Sequence, residues 1–351
     1  MRNDEQTNER CSVDRRDVLK TSVAALSTLA CATAASAQGL PGRASTLRFF
    51  PGFEAIRIDT SEATINGVKG GSGPPLLLLH GFPQTHVEWR SIAPNLSKHF
   101  TLVATDLRGY GDSSKPADGR NHEGYSKRSV ATDQVEVMRR LGFERFYVIG
   151  HDRGGRVAHR MALDFPKAVS KVVLLDIVPT YKIFNPVTKG LATAYFHMFL
   201  FLQPAPFPET LIANSLEYFL RSSFRGLIPN IISEDAYSEY LRCMKDPATL
   251  HAMIEDYRAA ASIDLEHDEI DLDKKIECPL LVLWDRKGAM EPLYDVLATW
   301  RERAIDVRGR AFPGDETARR AQADTGVFPG GHWIPEEFPN ELYDEVLRFF
   351  S

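Results

Sequence analysis

Residues 150–157 read Gly150-His151-Asp152-Arg153-Gly154-Gly155-Arg156-Val157. A short apolar run, 146–150, precedes them, and a helical stretch, 155–165, follows. The pattern G-x-D-x-G at such a junction describes a sharp strand-to-helix turn that exposes one side chain, here Asp152, beyond the carboxyl end of a strand. Gly154 and Gly155 permit the tight backbone. Working outward, runs 75–80 (P-L-L-L-L-H), 101–106, 171–176 (K-V-V-L-L-D) and 279–284 (P-L-L-V-L-W) share the continuous apolar style. Strands buried on both faces read this way. Helical patterns fall at 129–141, 155–165 and 339–350. Buried strands alternating with helices predict an α/β fold with a mostly parallel sheet. Two shorter strands, 53–60 and 63–68, flank a turn at Thr60-Ser61-Glu62, and 70–74 reads as loop.

Residues 178–269 break the alternation. They are rich in aromatics and helical in pattern, with proline breaks such as Gln203-Pro204-Ala205-Pro206-Phe207-Pro208. The expectation is a helical lid inserted between two parts of one core, 45–177 and 270–351. Such a lid would cover the carboxyl ends of the strands, where α/β proteins bind ligands.

The whole chain has 351 residues, 43% hydrophobic and 25% charged, with a net charge of −5. No basic stripe runs through its body, which argues against nucleic acid as a partner. The first residues read as an export signal. Arg15-Arg16 forms a twin-arginine pattern, a mild apolar run follows from Val23 to Ala35, and Ala35-Ser36-Ala37 matches a cleavage site. Residues 1–37 are therefore expected to be removed, leaving a periplasmic or secreted bacterial protein. The apolar run is too short and too polar to hold the mature form in a membrane. Of four cysteines, Cys243 and Cys278 remain after cleavage, without metal-type spacing.

Asp152 raises a chemical question, because a hydroxyl is usual at this turn. A serine that attacked saturated carbon would form an ether, which resists water. A carboxylate forms an ester, which water can open at the Asp carbonyl. An Asp nucleophile therefore suits displacement of a leaving group from sp³ carbon, at carbon–halogen or epoxide bonds. The second step needs a base. His332, in Pro329-Gly330-Gly331-His332-Trp333, lies late in the chain before the final helix, in the order nucleophile, acid, His. The acid is Asp176 or Asp285, each at a strand end. Asp176 is preferred, and Asp285 would otherwise be a solvated loop charge beside Arg286 and Lys287. The backbone N–H groups of Phe82, after His80-Gly81, and of Arg153 would form an oxyanion hole. Arg153 and Arg156 suit a substrate carboxylate, although Arg156 could instead pair with Asp106 or Asp133. A small molecule is the expected partner, and neither a metal nor an organic cofactor is called for. A homodimer is compatible with the sequence.

These residues resemble the α/β-hydrolase superfamily, and within it the haloacetate dehalogenases of the fluoroacetate type, with epoxide hydrolases as relatives. The resemblance spans about residues 45–351. It rests on H-G-F-P-Q-T-H, D-L-R-G-Y-G-D-S, G-H-D-R-G-G-R-V, L-L-D-I-V-P-T, E-D-Y-R-A-A-A and G-G-H-W-I-P-E-E. It implies the α/β-hydrolase fold with Asp152 as nucleophile, His332 as base and Asp176 as acid. It also implies that Arg153 and Arg156 hold the substrate carboxylate, while His197 and Tyr257 reach the halide from the lid. In an epoxide hydrolase those lid donors, with Tyr195, would protonate the opening oxygen instead. Two features depart from the group. Met198 stands where a Trp N–H normally helps to hold the halide. An echoed, polar insertion, 314–328, directly precedes His332, so an inactive or ligand-binding relative is a third reading.

Overall fold

The computed structural model describes residues 46–312 and 331–351. The export segment, 1–37, and the insertion, 314–328, lie outside the described residues. Eight strands form one sheet: β1 (Glu54–Asp59), β2 (Thr64–Gly71), β3 (Pro75–Leu79), β4 (Thr101–Thr105), β5 (Phe146–His151), β6 (Val169–Leu175), β7 (Leu280–Asp285) and β8 (Val307–Phe312). Their order is β1-β2-β4-β3-β5-β6-β7-β8. β2 runs antiparallel to both its neighbours, and every other pairing is parallel. The central runs are apolar throughout because both faces are covered. Leu76 to Leu79 on β3 and Val172 to Leu175 on β6 are fully buried.

Among the helices, α1 (Ala93–Leu96), α2 (Lys127–Arg140) and α3 (Asp152–Asp164) precede β6. α3 packs on β5 and β6, and α2 packs against α3. Between β6 and β7 the chain forms α4 (Thr180–Phe184), α5 (Lys189–Ala194), α6 (Phe196–Phe201), α7 (Phe207–Ala213), α8 (Leu216–Ser223), α9 (Glu234–Met244), α10 (Pro247–Ala260) and α11 (Ile263–Ile270). The C-terminal helix is Pro339–Phe350. Among the described residues no helix is long and apolar enough to cross a membrane.

Three local readings are corrected. Gly70 and Gly71 belong to β2 rather than to a loop, because Leu102 and Thr101 of β4 pair with them. α3 begins at Asp152 rather than at Gly155, so the nucleophile candidate sits in the helix's first turn. β8 escapes the apolar-run criterion because it is an edge strand, Val307-Arg308-Gly309-Arg310-Ala311-Phe312, half exposed along its length.

The turn between β5 and α3 is held by close backbone approach. Asp152 adopts φ +44, a left-handed conformation that costs a non-glycine residue energy and persists only when its surroundings enforce it. The enforcement comes from Gly154, whose N–H donates to the His80 carbonyl at 2.9 Å. A Cβ on Gly154 would lie 2.3 Å from the Leu79 carbonyl oxygen, and one on Gly150 2.4 Å from the Gly154 carbonyl oxygen. Both obstacles are backbone atoms and cannot rotate away. Gly154→Ala is therefore expected to lower the unfolding free energy by about 1–3 kcal/mol, the usual cost of overpacking, as read by urea denaturation with an unchanged m-value.

Candidate active site

Asp152 stands at the top of this turn, and its Oδ2 accepts the Phe82 N–H at 3.1 Å. Burial by itself would raise the Asp152 carboxyl. The charges of His332, Arg153, His151 and Arg156 outweigh burial and hold it below the usual carboxylate value. The Arg153 N–H lies in the first turn of α3, where backbone donors have no intrahelical partner. Phe82 and Arg153 thus bring backbone donors to the turn that carries the carboxylate.

His332 and Asp176 are brought together across 156 residues, with His332 Nδ1 2.6 Å from Asp176 Oδ2. A carboxylate can only accept, so Nδ1 carries the proton, and in the neutral ring Nε2 is the nitrogen left with a lone pair. Asp176 follows β6, has φ +51 and is 1% exposed. Its other oxygen accepts the Asp285 N–H at 3.1 Å. Asp285 is therefore no solvated loop charge. It is fully buried, its carboxylate accepts the Lys287 N–H at 2.7 Å, and burial, with Asp176 nearby, pushes its carboxyl up to about 7. Its backbone supports the carboxylate that faces His332.

A second, buried pair lies beneath these groups. His151 is fully buried, its Nδ1 2.8 Å from Glu88 Oε1 in an ion pair of poor hydrogen-bond alignment. Its Nε2–H donates to the His332 carbonyl at 2.8 Å. Both ring nitrogens face acceptors, which requires a proton on each. Burial opposes that charge, but Glu88, Asp152 and Asp176 overcome it and push the imidazole up to about 9. The other Glu88 oxygen accepts the Gly81 N–H at 2.8 Å. Beyond His332, the Trp333 N–H donates to Glu337 at 3.0 Å, and Glu336 meets Arg90 at 2.6 Å. Contacts at the His332 carbonyl and along the residues after it thus hold His332 in place.

The two arginines differ. Arg153 Nε donates to Asp256 Oδ2 at 2.5 Å and Nη2 to the Asp256 carbonyl at 2.7 Å. Its guanidinium also lies 4.1 Å from the centre of the Tyr257 ring, a cation–π contact. Arg156 pairs with neither Asp106 nor Asp133, because His86 and Arg108 engage those carboxylates. It donates instead to the Val178 carbonyl at 3.2 Å and to Thr180 Oγ1 at 3.0 Å. Among the described residues no carboxylate forms an ion pair with Arg156, and its buried Nε has no partner. Burial and the neighbouring Arg153 charge lower its pKa, yet a guanidinium stays protonated.

A cavity of about 500 Å³ unites these groups. Asp152, Arg153, Arg156, Asp176 and His332 line it from the sheet side, and Tyr195, His197, Met198 and Tyr257 from the helices above. His197 stacks on Phe82 with ring centroids 5.8 Å apart. Burial lowers its imidazole to about 4, so it is neutral at pH 7. Burial raises the Tyr195 and Tyr257 phenols well above their ordinary value, so both keep their protons. Glu88, His151 and Asp256 escaped sequence reasoning. Asp256 adjoins Tyr257 inside a quoted motif, and Glu88 lies between Val87 and Trp89, but the partners Arg153 and His151 lie far along the chain.

A family model described as the alpha/beta hydrolase fold matches residues 74–339. Fluoroacetate dehalogenase from Burkholderia sp is 41% identical over 305 residues, covering 86% of this chain and 95% of its own. Soluble epoxide hydrolase from Corynebacterium sp. (strain C12) is 34% identical over 307 residues, covering 85% and 99%. A solved structure from Nostoc sp PCC 7120, assigned to the α/β hydrolases, shares 54% identity at a TM-score of 0.79, covering 85% of this chain and 98% of that one. The chain belongs to the α/β-hydrolase family and is a hydrolase related to dehalogenases and epoxide hydrolases.

The buried His151 charge has a measurable consequence. Its folded pKa, about 9, lies above the unfolded value near 6.5. The stability it contributes is full below pH 6.5 and is lost as pH rises through 9. The loss is on the order of 3 kcal/mol. Glu88→Gln should remove most of this fall, as measured by urea denaturation at pH 6, 7.5 and 9. An equally steep fall in the variant would count against the pair.

Proposed function

We propose that this hydrolase cleaves the carbon–halogen bond of short 2-haloacids, such as haloacetates, through an ester on Asp152. The observation that carries the reading is Arg156, a buried cation without an ion-pair partner among the described residues, in the same cavity as Asp152. Such a group is stabilised by an anion, and the substrate carboxylate supplies one. Arg153 offers the part of its fork that Asp256 leaves open.

Because the Phe82 N–H holds Oδ2 of Asp152, Oδ1 is the attacking oxygen. It bonds to C2 as the carbon–halogen bond breaks, and the halide leaves with the bonding pair. His197 N–H and Tyr257 O–H receive it. Water then adds to the Asp152 Cγ while its proton passes to His332 Nε2. The resulting oxyanion on Oδ2 meets the N–H groups of Phe82 and Arg153. The Cγ–Oδ1 bond breaks, the 2-hydroxyacid departs with the proton from His332, and Asp152, left as the carboxylic acid with the water's oxygen, releases its remaining proton to solvent. Asp176 keeps the imidazole in the tautomer that this requires. Met198 adds no N–H to the halide site, so chloride should leave faster than fluoride.

The same cavity supports a second reading, attack on an epoxide with Tyr195 or Tyr257 protonating the opening oxygen. Two protonated phenols favour it. Arg156 disfavours it, since a neutral substrate leaves that cation uncompensated.

Four outcomes are expected. Asp152→Ala should abolish halide release from chloroacetate, measured by ion chromatography. His332→Gln should accumulate the ester, visible as an added mass on the Asp152 peptide, and a single wild-type turnover in H2 18O should label Asp152 rather than the product. Arg156→Gln should lower kcat/KM for chloroacetate by roughly 10- to 150-fold, the worth of a charged hydrogen bond. Unchanged haloacid turnover beside faster diol formation from a neutral epoxide would favour the second reading.

A further inference from the structure

The cavity is far larger than a haloacetate requires. At roughly 30 Å³ per non-hydrogen atom, the share of a water in the liquid, the five such atoms of a haloacetate fill about 150 Å³. The cavity holds about 500 Å³, so about two-thirds stays empty around the smallest substrate. That remaining space is largely apolar. Ile183, Met198, Ile212 and Phe219 line it, and of these Ile183, Met198 and Ile212 are buried. A small anion gains nothing from such walls, and a dry apolar cavity left empty forfeits contacts on every side.

The opening has the same character. Phe196, Leu211 and Tyr218 also line the cavity, yet they are 59%, 47% and 79% exposed. Large apolar side chains on α6, α7 and α8 therefore stand where the cavity meets solvent. The charged groups Arg153 and Arg156 are buried beside Asp152. The cavity thus has a cationic floor, apolar walls and a mouth where exposed Phe196, Leu211 and Tyr218 stand beside the exposed Ser215, Ser222 and Arg225.

From this polarity we infer the substrate class: a 2-haloalkanoic acid whose C2 carries an apolar substituent of up to roughly twelve non-hydrogen atoms, the number that the remaining volume of about 350 Å³ holds. The inference rests on the dehalogenase reading of Asp152 and narrows it. The carboxylate seats on the cationic floor, the halogen on C2 faces the lid donors, and the tail runs between α6, α7 and α8 towards the mouth. The acid enters by its carboxylate end, drawn inwards by the buried charges, and the tail closes the apolar walls behind it.

The test compares halide release from chloroacetate, 2-chlorobutanoate, 2-chlorohexanoate, 2-chlorooctanoate and the diacid 2-chloroadipate. In parallel, calorimetry follows the binding of acetate, butanoate, hexanoate and octanoate, which carry no leaving group. Each buried methylene should raise kcat/KM and affinity about three- to fourfold, on the order of 100-fold over four carbons. Leu211→Asp, which places a charge at the exposed mouth, should flatten that dependence. Chloroacetate turnover with no gain in rate or affinity for longer acids would overturn the tail assignment and leave the dehalogenase intact. A preference for 2-chloroadipate over 2-chlorohexanoate would overturn the apolar tail in favour of a second carboxylate near Arg225, which also lines the cavity. No halide from any acid, beside affinity that still rises with chain length, would support the apolar cavity and overturn the dehalogenase reading.

Discussion

One buried carboxylate ties the site together. Glu88 reaches the turn after β3 through the Gly81 N–H and holds a proton on His151 beneath the nucleophile. His151 passes the constraint on by donating to the carbonyl of His332. The turn after β3, the turn that carries Asp152 and the His332 backbone thus share a single anchor. Its cost is a buried ion pair, held at 2.8 Å by attraction between charges rather than by an aligned hydrogen bond.

Electrostatics then divide the labour among the cations. Arg153, Arg156 and the protonated His151 surround Asp152 and, with His332 nearby, keep it ionised although burial opposes this. Arg153 is paired with Asp256 and stacked on Tyr257, so its place is fixed whatever the cavity contains. Arg156 has backbone and hydroxyl acceptors but no ion-pair partner among the described residues. In the proposed reaction the Asp152 carboxylate would repel an anionic substrate, and a cation beside it without an acid partner offsets that repulsion. The same floor that keeps Asp152 ionised therefore makes a carboxylate substrate tolerable.

Much of the fold could be read locally. Strands β3 to β7 announce themselves as apolar runs because both of their faces are covered. The edge strand β8 does not, since half of it meets solvent and its side chains are mixed. The positions of Asp152 and His332 followed from chain order and turn chemistry. The roles of Glu88, His151 and Asp256 did not, because each depends on a partner brought near only by folding. Glu88 and His151 stand 63 positions apart in the chain, and Arg153 and Asp256 stand 103 apart.

The sequence by itself determined the layered α/β architecture, the tight turn that raises Asp152 and the chemistry open to a carboxylate there. These follow from short-range rules of periodicity, glycine spacing and nucleophile type. Tertiary structure alone decided which carboxylate faces His332, which arginine is left without an acid, and how much room lies above the nucleophile. Those are questions of distance between remote segments. Asp176 and Asp285 both end core strands, and only the packing of β6 against β7 gives one the imidazole and makes the other its backbone support.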